Sequence, residues 1–313
     1  MNQLKTIAVF IPVLSQFSCA EIITSDQKYF TDTVRIKEDL RIITKTEKSR
    51  NYYNIETLNF VADYIYREFS KNCDTVYYQS YQVNSVEYTN VIGSIGIDKS
   101  ERIIVGAHYD VAGDQEGADD NASGVVGIIE LSRHLSEEQL NYRVDLVAYS
   151  LEEPPFFRTE HMGSFIHAKS LFDEEVKVKG MICLEMIGYF SDKPKSQSYP
   201  VGFLKLFYDT KGDYITVVQK FGNGKFGRQV KRLMKKQGLV KTKSFKGPAL
   251  LPGVDFSDHL NYWNYGYSAV MITNTAFYRN KNYHKNTDKM ETLDIRRMAL
   301  VIDEVYLTIK QFK

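Results

Sequence analysis

The sequence is organised around one stretch, residues 106–124, which reads GAHYDVAGDQEGADDNASG. It follows a short apolar run at 103–105 and holds His108 and Asp110 two residues apart. Asp120 follows twelve residues after His108, just before the small residues that open an apolar segment. This order predicts a strand that ends in one metal ligand, a loop that carries a second ligand, and then a helix.

The composition is that of an ordinary globular protein. The chain has 313 residues, 43% hydrophobic and 25% charged, enough to bury a large core. Its formal net charge of +1 gives no reason to expect nucleic acid or an anionic membrane as a partner. Beyond residue 20 only Cys73 and Cys183 remain, and we expect two buried free thiols rather than a disulfide framework.

Residues 1–20 (MNQLKTIAVFIPVLSQFSCA) have the features of a signal peptide. Lys5 is a positive start, residues 7–14 form an apolar core that is too short to span a bilayer, and the triplet SCA at 18–20 provides small residues for cleavage. A first strand, or a lipoprotein signal that ends at the cysteine of that triplet, fits less well. We therefore expect a secreted or periplasmic protein with one domain over residues 21–313.

Apolar periodicity predicts alternating helices and strands. The expected helices are 29–46, 49–69, 123–135, 163–171, 225–237 and 294–312, and the expected strands are 76–83, 89–97, 103–107, 144–150, 178–186 and 267–273. The charged turn at 98–102 suggests a hairpin between the second and third strands. The continuous apolar runs at 144–150 and 178–186 are typical of strands covered on both faces. The alternation predicts an α/β fold with a central mixed, largely parallel sheet flanked by helices.

Two polar loops are expected to rim a pocket at the sheet edge. They are residues 191–200 and 245–258, which lie between segments that carry polar candidates. Phe156, Phe157 and residues 199–203 are expected to line the same pocket. Their apolar and aromatic content suggests hydrophobic substrate side chains.

Side chains that bind metals recur where the predicted strands end. They are His108, Asp120, Glu152, Glu153, Glu185 and His284. Because the carboxyl ends of parallel strands share one edge of the sheet, we expect these side chains to converge. Imidazole nitrogens and carboxylate oxygens are the ligands that zinc commonly takes in proteins.

The number of donors favours two metal ions. If one member of the pair Glu152-Glu153 binds metal, five donors are available, more than one tetrahedral zinc needs. A bridging carboxylate would give each of two ions two further ligands. Such pairs, about 3.5–4 Å apart, recur in hydrolases.

The adjacent residues Glu152 and Glu153 suggest two different roles. Neighbours on an extended segment point in different directions, so one can bind metal while the other faces the bound water and moves its proton. Asp110, two residues from His108, can accept the second imidazole N–H and orient that ligand.

Five motifs in this order resemble those of the co-catalytic zinc aminopeptidases, a family that also includes glutamate carboxypeptidases and glutaminyl cyclases. They are GAHYD, GADDNASG, SLEEPPF, LEMIGYF and the YH of NYHKNTDKMETLD. The resemblance covers roughly residues 50–313 and implies a zinc-exopeptidase fold that binds two Zn²⁺ per chain.

The resemblance also implies a role for each residue. One zinc would be bound by His108 and Glu185, the other by Glu153 and His284, and Asp120 would bridge them. Glu152 would be the general base and acid, Asp110 would orient His108, and Tyr283 would help to stabilise the oxyanion. Many members have Asp where this chain has Glu185, so the metal spacing or preference can differ.

The expected function is that of an aminopeptidase that removes N-terminal residues from peptides with a water activated by two zinc ions. A glutaminyl cyclase is the alternative, but cyclases of this fold use one zinc and need fewer ligands. A carboxypeptidase of the same fold stays open, although those usually have an extra domain. A non-catalytic binding module is disfavoured because no ligand is missing. Oligomeric state does not follow from the sequence.

Other polar residues receive weaker interpretations. We interpret His134, His161 and His167 as structural. Asp258, with its neighbour His259, is left open between a place in the pocket and a structural role, and Arg279 between anchoring the loop of His284 and contacting substrate.

Overall fold

The computed structural model describes residues 31–206, 208–222 and 224–312, so the predicted signal peptide at 1–20 lies outside the described residues. The described strands are β1 (Thr75–Val83), β2 (Val86–Ile95), β3 (Arg102–His108), β4 (Arg143–Tyr149), β5 (Val178–Glu185), β6 (Ile215–Lys220), β7 (Thr242–Gly247) and β8 (Ala269–Thr273). The α-helices are α1 (Thr33–Thr44), α2 (Ile55–Ser70), α3 (Ser123–Leu135), α4 (Gly163–Asp173), α5 (Phe226–Gln237), α6 (His259–Asn264) and α7 (Ile295–Lys310). None of these helices is long and apolar enough to cross a membrane.

The strands form one mixed sheet in the order β1-β2-β4-β3-β5-β8-β6-β7. Its centre, β4-β3-β5-β8, is parallel. Antiparallel pairs join β1 to β2, β2 to β4 and β6 to β8, and β7 runs parallel to β6. The predicted α/β class with a central mixed sheet and flanking helices is confirmed, and the parallel centre ends its strands along one edge.

The predicted hairpin between residues 89–97 and 103–107 is wrong. β4 lies between β2 and β3 and pairs with both, because its apolar side chains are buried on both faces only in the middle of the sheet. The hairpin instead joins β1 to β2. Its two turn residues, Asn84 and Ser85, have φ values of 50° and 65°, as a tight two-residue hairpin requires.

The far edge of the sheet was not predicted. The expected loop 245–258 begins inside β7, and β6 lies in a region for which no strand was predicted. β7 reads TKSFKG, and lysines with few apolar residues are typical of an edge strand, which sequence periodicity detects poorly. Strands β6 and β7 extend the sheet beyond β8 and carry one end of the cavity described below.

The apolar residues of helix α2, which recur at helical spacing, pack against the sheet. The helix begins at Ile55, later than the expected 49, and the Asn54 amide donates to the Ser49 carbonyl at 2.9 Å instead of capping the helix. Its apolar side chains at three- and four-residue spacing face the sheet. Among them Phe69 is fully buried, and its ring covers Gly93 of β2, where a Cβ atom would lie 2.8 Å from the ring.

The Phe69 ring is fully buried against Gly93, so its loss should leave a cavity. We expect Phe69→Ala to lower the free energy of unfolding by about 3–5 kcal/mol. Phe172→Ala, which removes a ring that is 54% exposed, should change it by about 0.5 kcal/mol at most. Denaturant unfolding followed by circular dichroism measures both, and equal losses would contradict this packing.

A buried polar cluster stabilises the other face of the sheet. His167 Nδ1 lies 2.6 Å from the Tyr262 hydroxyl, which lies 2.6 Å from the Tyr149 hydroxyl. Burial lowers the pKa of His167 to about 4, because a charged imidazole there would lose its hydration. His167 therefore forms a structural hydrogen bond with Tyr262 while burial favours its neutral ring.

This cluster predicts acid sensitivity. As the pH falls below about 6.5, the unfolded chain binds a proton at this histidine before the folded chain does, so the stability present above that pH is lost towards pH 4. The difference in the free energy of unfolding between the wild type and His167→Gln should shift against the wild type by about 2–3 kcal/mol from pH 7 to pH 4.5. Urea unfolding of both proteins at the two pH values tests this, and a constant difference would refute it.

Candidate active site

Five predicted ligands converge at the carboxyl edge of the sheet. His108 Nε2 lies 3.4 Å from Asp120 Oδ1 and 3.4 Å from Glu185 Oε2. His284 Nε2 lies 3.2 Å from Asp120 Oδ2 and 3.1 Å from Glu153 Oε2. The ligand atoms thus form two groups that share Asp120, one with His108 and Glu185 and one with Glu153 and His284. Glu152 also lies close enough to His108 and Glu153 to form a third set with them.

The chemistry of these donors fits divalent cations. Among the described residues, no donor is in hydrogen-bonding geometry to Asp120 Oδ2 or Glu153 Oε1, although both atoms are buried. Buried carboxylate oxygens without a partner are costly unless a cation compensates them. Two groups of imidazole nitrogen and carboxylate oxygen are the environment in which zinc is commonly bound.

Two ligands owe their position to the parallel centre of the sheet. His108 is the last residue of β3 and Glu185 the last residue of β5, and these strands are neighbours. Asp120 lies in the single turn Ala118–Ala122 before α3, where its φ and ψ of −106° and 93° are not helical. The extended backbone at this residue lets its carboxylate turn towards both imidazoles.

The position of Asp120 is electrostatically favourable for an ionised carboxylate. Burial alone would raise the pKa of Asp120, but His108 and His284 outweigh burial and lower it. For Glu152 the balance is reversed. Burial and the neighbouring carboxylates raise its pKa well above the ordinary value, opposed by His108. A carboxyl group with a raised pKa is suited to accept a proton and later return it.

Asp110 has a second role that the sequence did not reveal. Its Oδ1 lies 3.5 Å from His108 Nδ1, which has no hydrogen-bond partner among the described atoms, so the orienting bond to that imidazole stays a prediction. Its two oxygens also accept the backbone N–H groups of Glu152 and Glu153, each at 3.1 Å. One carboxylate therefore joins the segment that follows His108 to the backbone of the Glu pair.

Asp119, next to the bridge, is a positioning residue that sequence reasoning missed. Its Oδ1 accepts the N–H groups of Gly188 and Tyr189, and its Oδ2 accepts the side-chain amides of Asn274 and Asn280 at 2.8 and 2.7 Å. It thereby ties the bridging turn to the segments that follow β5 and β8. The adjacent aspartates of GADDNASG were the only signal for it.

Asp288 supports the same turn from the other side. Its carboxylate accepts the backbone N–H groups of Asp119 and Asp120, at 3.1 and 3.0 Å. The buried Arg50 adds hydrogen bonds to the carbonyls of Tyr109 and Gly117, at 2.7 and 2.6 Å. The position of the bridge therefore depends on residues from distant parts of the chain.

A cavity with mostly apolar walls opens beside Glu185 and Tyr283. The expected loops contribute to it through residues 197–200 and 251–254. Phe156 and Phe157 are not among the residues that line it, which corrects the expectation. Phe156 packs against Tyr52 in the core instead.

The residues that were left open have different positions. The Tyr283 ring stacks on His284 at 3.8 Å and lines the cavity, and burial and the nearby carboxylates raise its pKa, so the hydroxyl keeps its proton. Arg279 is buried and donates to Gln197 and to the Tyr214 carbonyl, which makes it a loop anchor. Within the described chain, Asp258 is buried but belongs to neither ligand group.

The remaining histidines also form structural contacts. His259 Nε2 lies 2.8 Å from the Val254 carbonyl. His134 Nε2 lies 2.8 Å from the Thr31 hydroxyl, and the His161 ring packs edge-on against Phe156.

The support from Asp288 is testable without metal. Asp288→Ala leaves the buried N–H groups of Asp119 and Asp120 without acceptors, at about 1–3 kcal/mol each. We expect a matching loss in the free energy of unfolding measured in chelator. Asp192→Ala, which removes a carboxylate that is 66% exposed and paired with Arg297, should cost at most about 1 kcal/mol. Equal effects would show that Asp288 does not hold the turn.

Comparison with known proteins places these features in a family. The chain is 42% identical over 279 residues to the uncharacterized protein YfbL of Escherichia coli (strain K12), a match that covers 87% of this chain and 85% of that protein. It is 35% identical over 101 residues to leucine aminopeptidase 2 of Trichophyton rubrum, which covers 32% of this chain and 19% of that protein.

Solved structures share the fold. The LapA aminopeptidase of Legionella pneumophila superposes with a TM-score of 0.70 at 18% identity, covering 89% of this chain and 71% of that one. Tannerella forsythia glutaminyl cyclase gives 0.67 at 19% identity, covering 90% and 99%. Residues 90–308, which include every proposed ligand, match the profile of Peptidase family M28. The resemblance read from the motifs is therefore confirmed, and the chain belongs to peptidase family M28.

Proposed function

We propose that this chain is a two-zinc aminopeptidase that removes the first residue of peptides. The observation that carries the proposal is the Asp120 carboxylate, whose two oxygens face two different imidazoles, His108 at 3.4 Å and His284 at 3.2 Å. This arrangement suits a bridge between two ions. Glu185 and Glu153 complete the two groups.

The residues around the ligands support hydrolysis. When bound, two zinc ions would lower the pKa of a water molecule and polarise the scissile carbonyl. The Glu152 carboxylate, whose Oε2 lies 3.9 Å from His108 Nε2, would take a proton from the attacking water and pass it to the leaving amine. The Tyr283 hydroxyl would donate a hydrogen bond to the oxyanion. Asp110 would keep His108 and the backbone of Glu152 aligned.

Aminopeptidase activity is favoured over the alternatives by the donor set and by the relatives. A glutaminyl cyclase of this fold would need one zinc, whereas the chain brings together donors for two. The matching Trichophyton rubrum protein is named a leucine aminopeptidase, and the LapA structure is described as an aminopeptidase. A non-catalytic module would not need a buried Glu152 beside a full set of ligands.

Metal removal and one substitution test the mechanism. We expect chelator to abolish hydrolysis of aminoacyl amides and zinc to restore it. Glu152→Gln should keep two zinc ions per chain yet lower kcat by about 10²–10⁴-fold, because the amide cannot accept the proton. Glu160→Gln, the same change at an exposed position eight residues away, should keep wild-type kcat.

Metal analysis on the same preparation separates the alternatives. Full activity of Glu152→Gln with bound metal would refute the proposed base. One tightly held zinc per chain, together with cyclisation of N-terminal glutaminyl peptides, would instead favour the cyclase.

A further inference from the structure

The floor of the cavity is a regular patch of the sheet. Pairing across β5, β8, β6 and β7 places four residues in one row, Glu185, Thr273, Thr216 and Lys243. The next row towards the middle of the sheet is apolar and contains Met271, Val218 and Phe245. The first row therefore begins at a proposed zinc ligand and runs away from it under the cavity.

Thr216 is the unusual member of this row. It is 3% exposed and lines the cavity, yet within the described chain its Oγ1 has no hydrogen-bond partner. The Thr273 hydroxyl, by contrast, accepts the Thr275 N–H at 3.0 Å. A buried hydroxyl without a partner is unfavourable by itself, so Thr216 provides an unused polar group on an otherwise apolar floor.

The other hydroxyls near this end are already engaged. Tyr208 donates to the Ser244 carbonyl at 2.8 Å, Tyr199 donates to the Asp209 carbonyl, and the Tyr214 and Tyr199 hydroxyls lie 2.9 Å apart. Thr216 thus provides, in this part of the described cavity, a buried hydroxyl without a partner that is available to a ligand.

The position of Thr216 sets the length of a matching side chain. It lies two strands from Glu185, which at an interstrand spacing of about 4.8 Å separates the two Cα atoms by about 10 Å. A substrate whose first residue is held at the ligand end must therefore have a long side chain to reach Thr216. Leucine is too short to approach it.

Charge and shape narrow the choice further. The walls include the rings of Tyr208, Phe245 and Phe277, which suit a flat aromatic side chain. Two cations lie behind the far end, where Lys243 Nζ is 4.3 Å and the Arg279 guanidinium 4.6 Å from the centre of the Tyr214 ring. Their charge disfavours a lysine or arginine side chain in this place.

We propose that this cavity binds the side chain of the first substrate residue, and that the Thr216 hydroxyl forms a hydrogen bond with a phenolic hydroxyl there. The enzyme would then select N-terminal tyrosine over phenylalanine and over leucine. This inference rests on the proposed aminopeptidase function and adds the substrate class.

The test compares amides of tyrosine, phenylalanine, leucine and glutamate that share one leaving amine, with the zinc-loaded full chain. The wild type should show a kcat/KM for the tyrosine amide about three- to tenfold above that for phenylalanine, the size of one hydrogen bond. Thr216→Val, which has nearly the same shape, should remove this ratio while the phenylalanine amide changes less than about twofold. Thr216→Ser, which keeps the hydroxyl, should restore the ratio.

Each other result overturns a defined part. Hydrolysis of the leucine amide with equal rates for tyrosine and phenylalanine would refute the role of Thr216 and leave the aminopeptidase intact. A parallel loss of both aromatic substrates in Thr216→Val would show a packing role only. A preference for the glutamate amide would show that Lys243, not Thr216, binds the substrate side chain at the far end of the cavity, and would refute the proposed selectivity. Hydrolysis of no amide at all would refute both the inference and the proposed function.

Discussion

The proposed site depends on one buried carboxylate that faces two imidazoles. Asp120 can face both imidazoles only if its backbone is held in place, and two other aspartates hold it. Asp288 accepts the N–H groups of the bridging turn, and Asp119 receives four donors from segments that follow β5 and β8. Both His284 and Asp288 lie in the loop beyond β8. The same loop therefore provides the second imidazole and the carboxylate that supports the Asp120 turn.

At the other side of the site, the Asp110 carboxylate also serves more than one partner. A carboxylate that only oriented His108 would need one acceptor oxygen. Here both oxygens also receive the N–H groups of Glu152 and Glu153, so the strand that carries one ligand sets the position of the proposed base. Hydrogen bonds to a carboxylate stabilise the fold. The same hydrogen bonds hold the residues of the site in place before substrate binds, as electrostatic catalysis requires.

The sheet links chemistry to selectivity. Because Glu185, Thr273 and Thr216 occupy one row across neighbouring strands, the distance from the ligand to the far end of the cavity is determined by the strand spacing. Loops can change the walls of such a cavity without altering this length. The edge strands β6 and β7 carry none of the proposed ligands, and under the proposed selectivity they form the far end of the cavity.

The sequence by itself determined the α/β class and the candidates for metal binding, because each ligand follows an apolar strand whose period and motif are local properties. It did not reveal the order of the strands. The 98–102 turn looked like a hairpin, whereas β4 lies between the two segments because only the middle of the sheet buries both of its faces. Only the tertiary structure decided which residues support the site. Asp288 and Thr216 carry no local signal, and Asp119 only that of its place beside Asp120, since what distinguishes them is a partner, or the lack of one, across strands and loops that are distant in the chain.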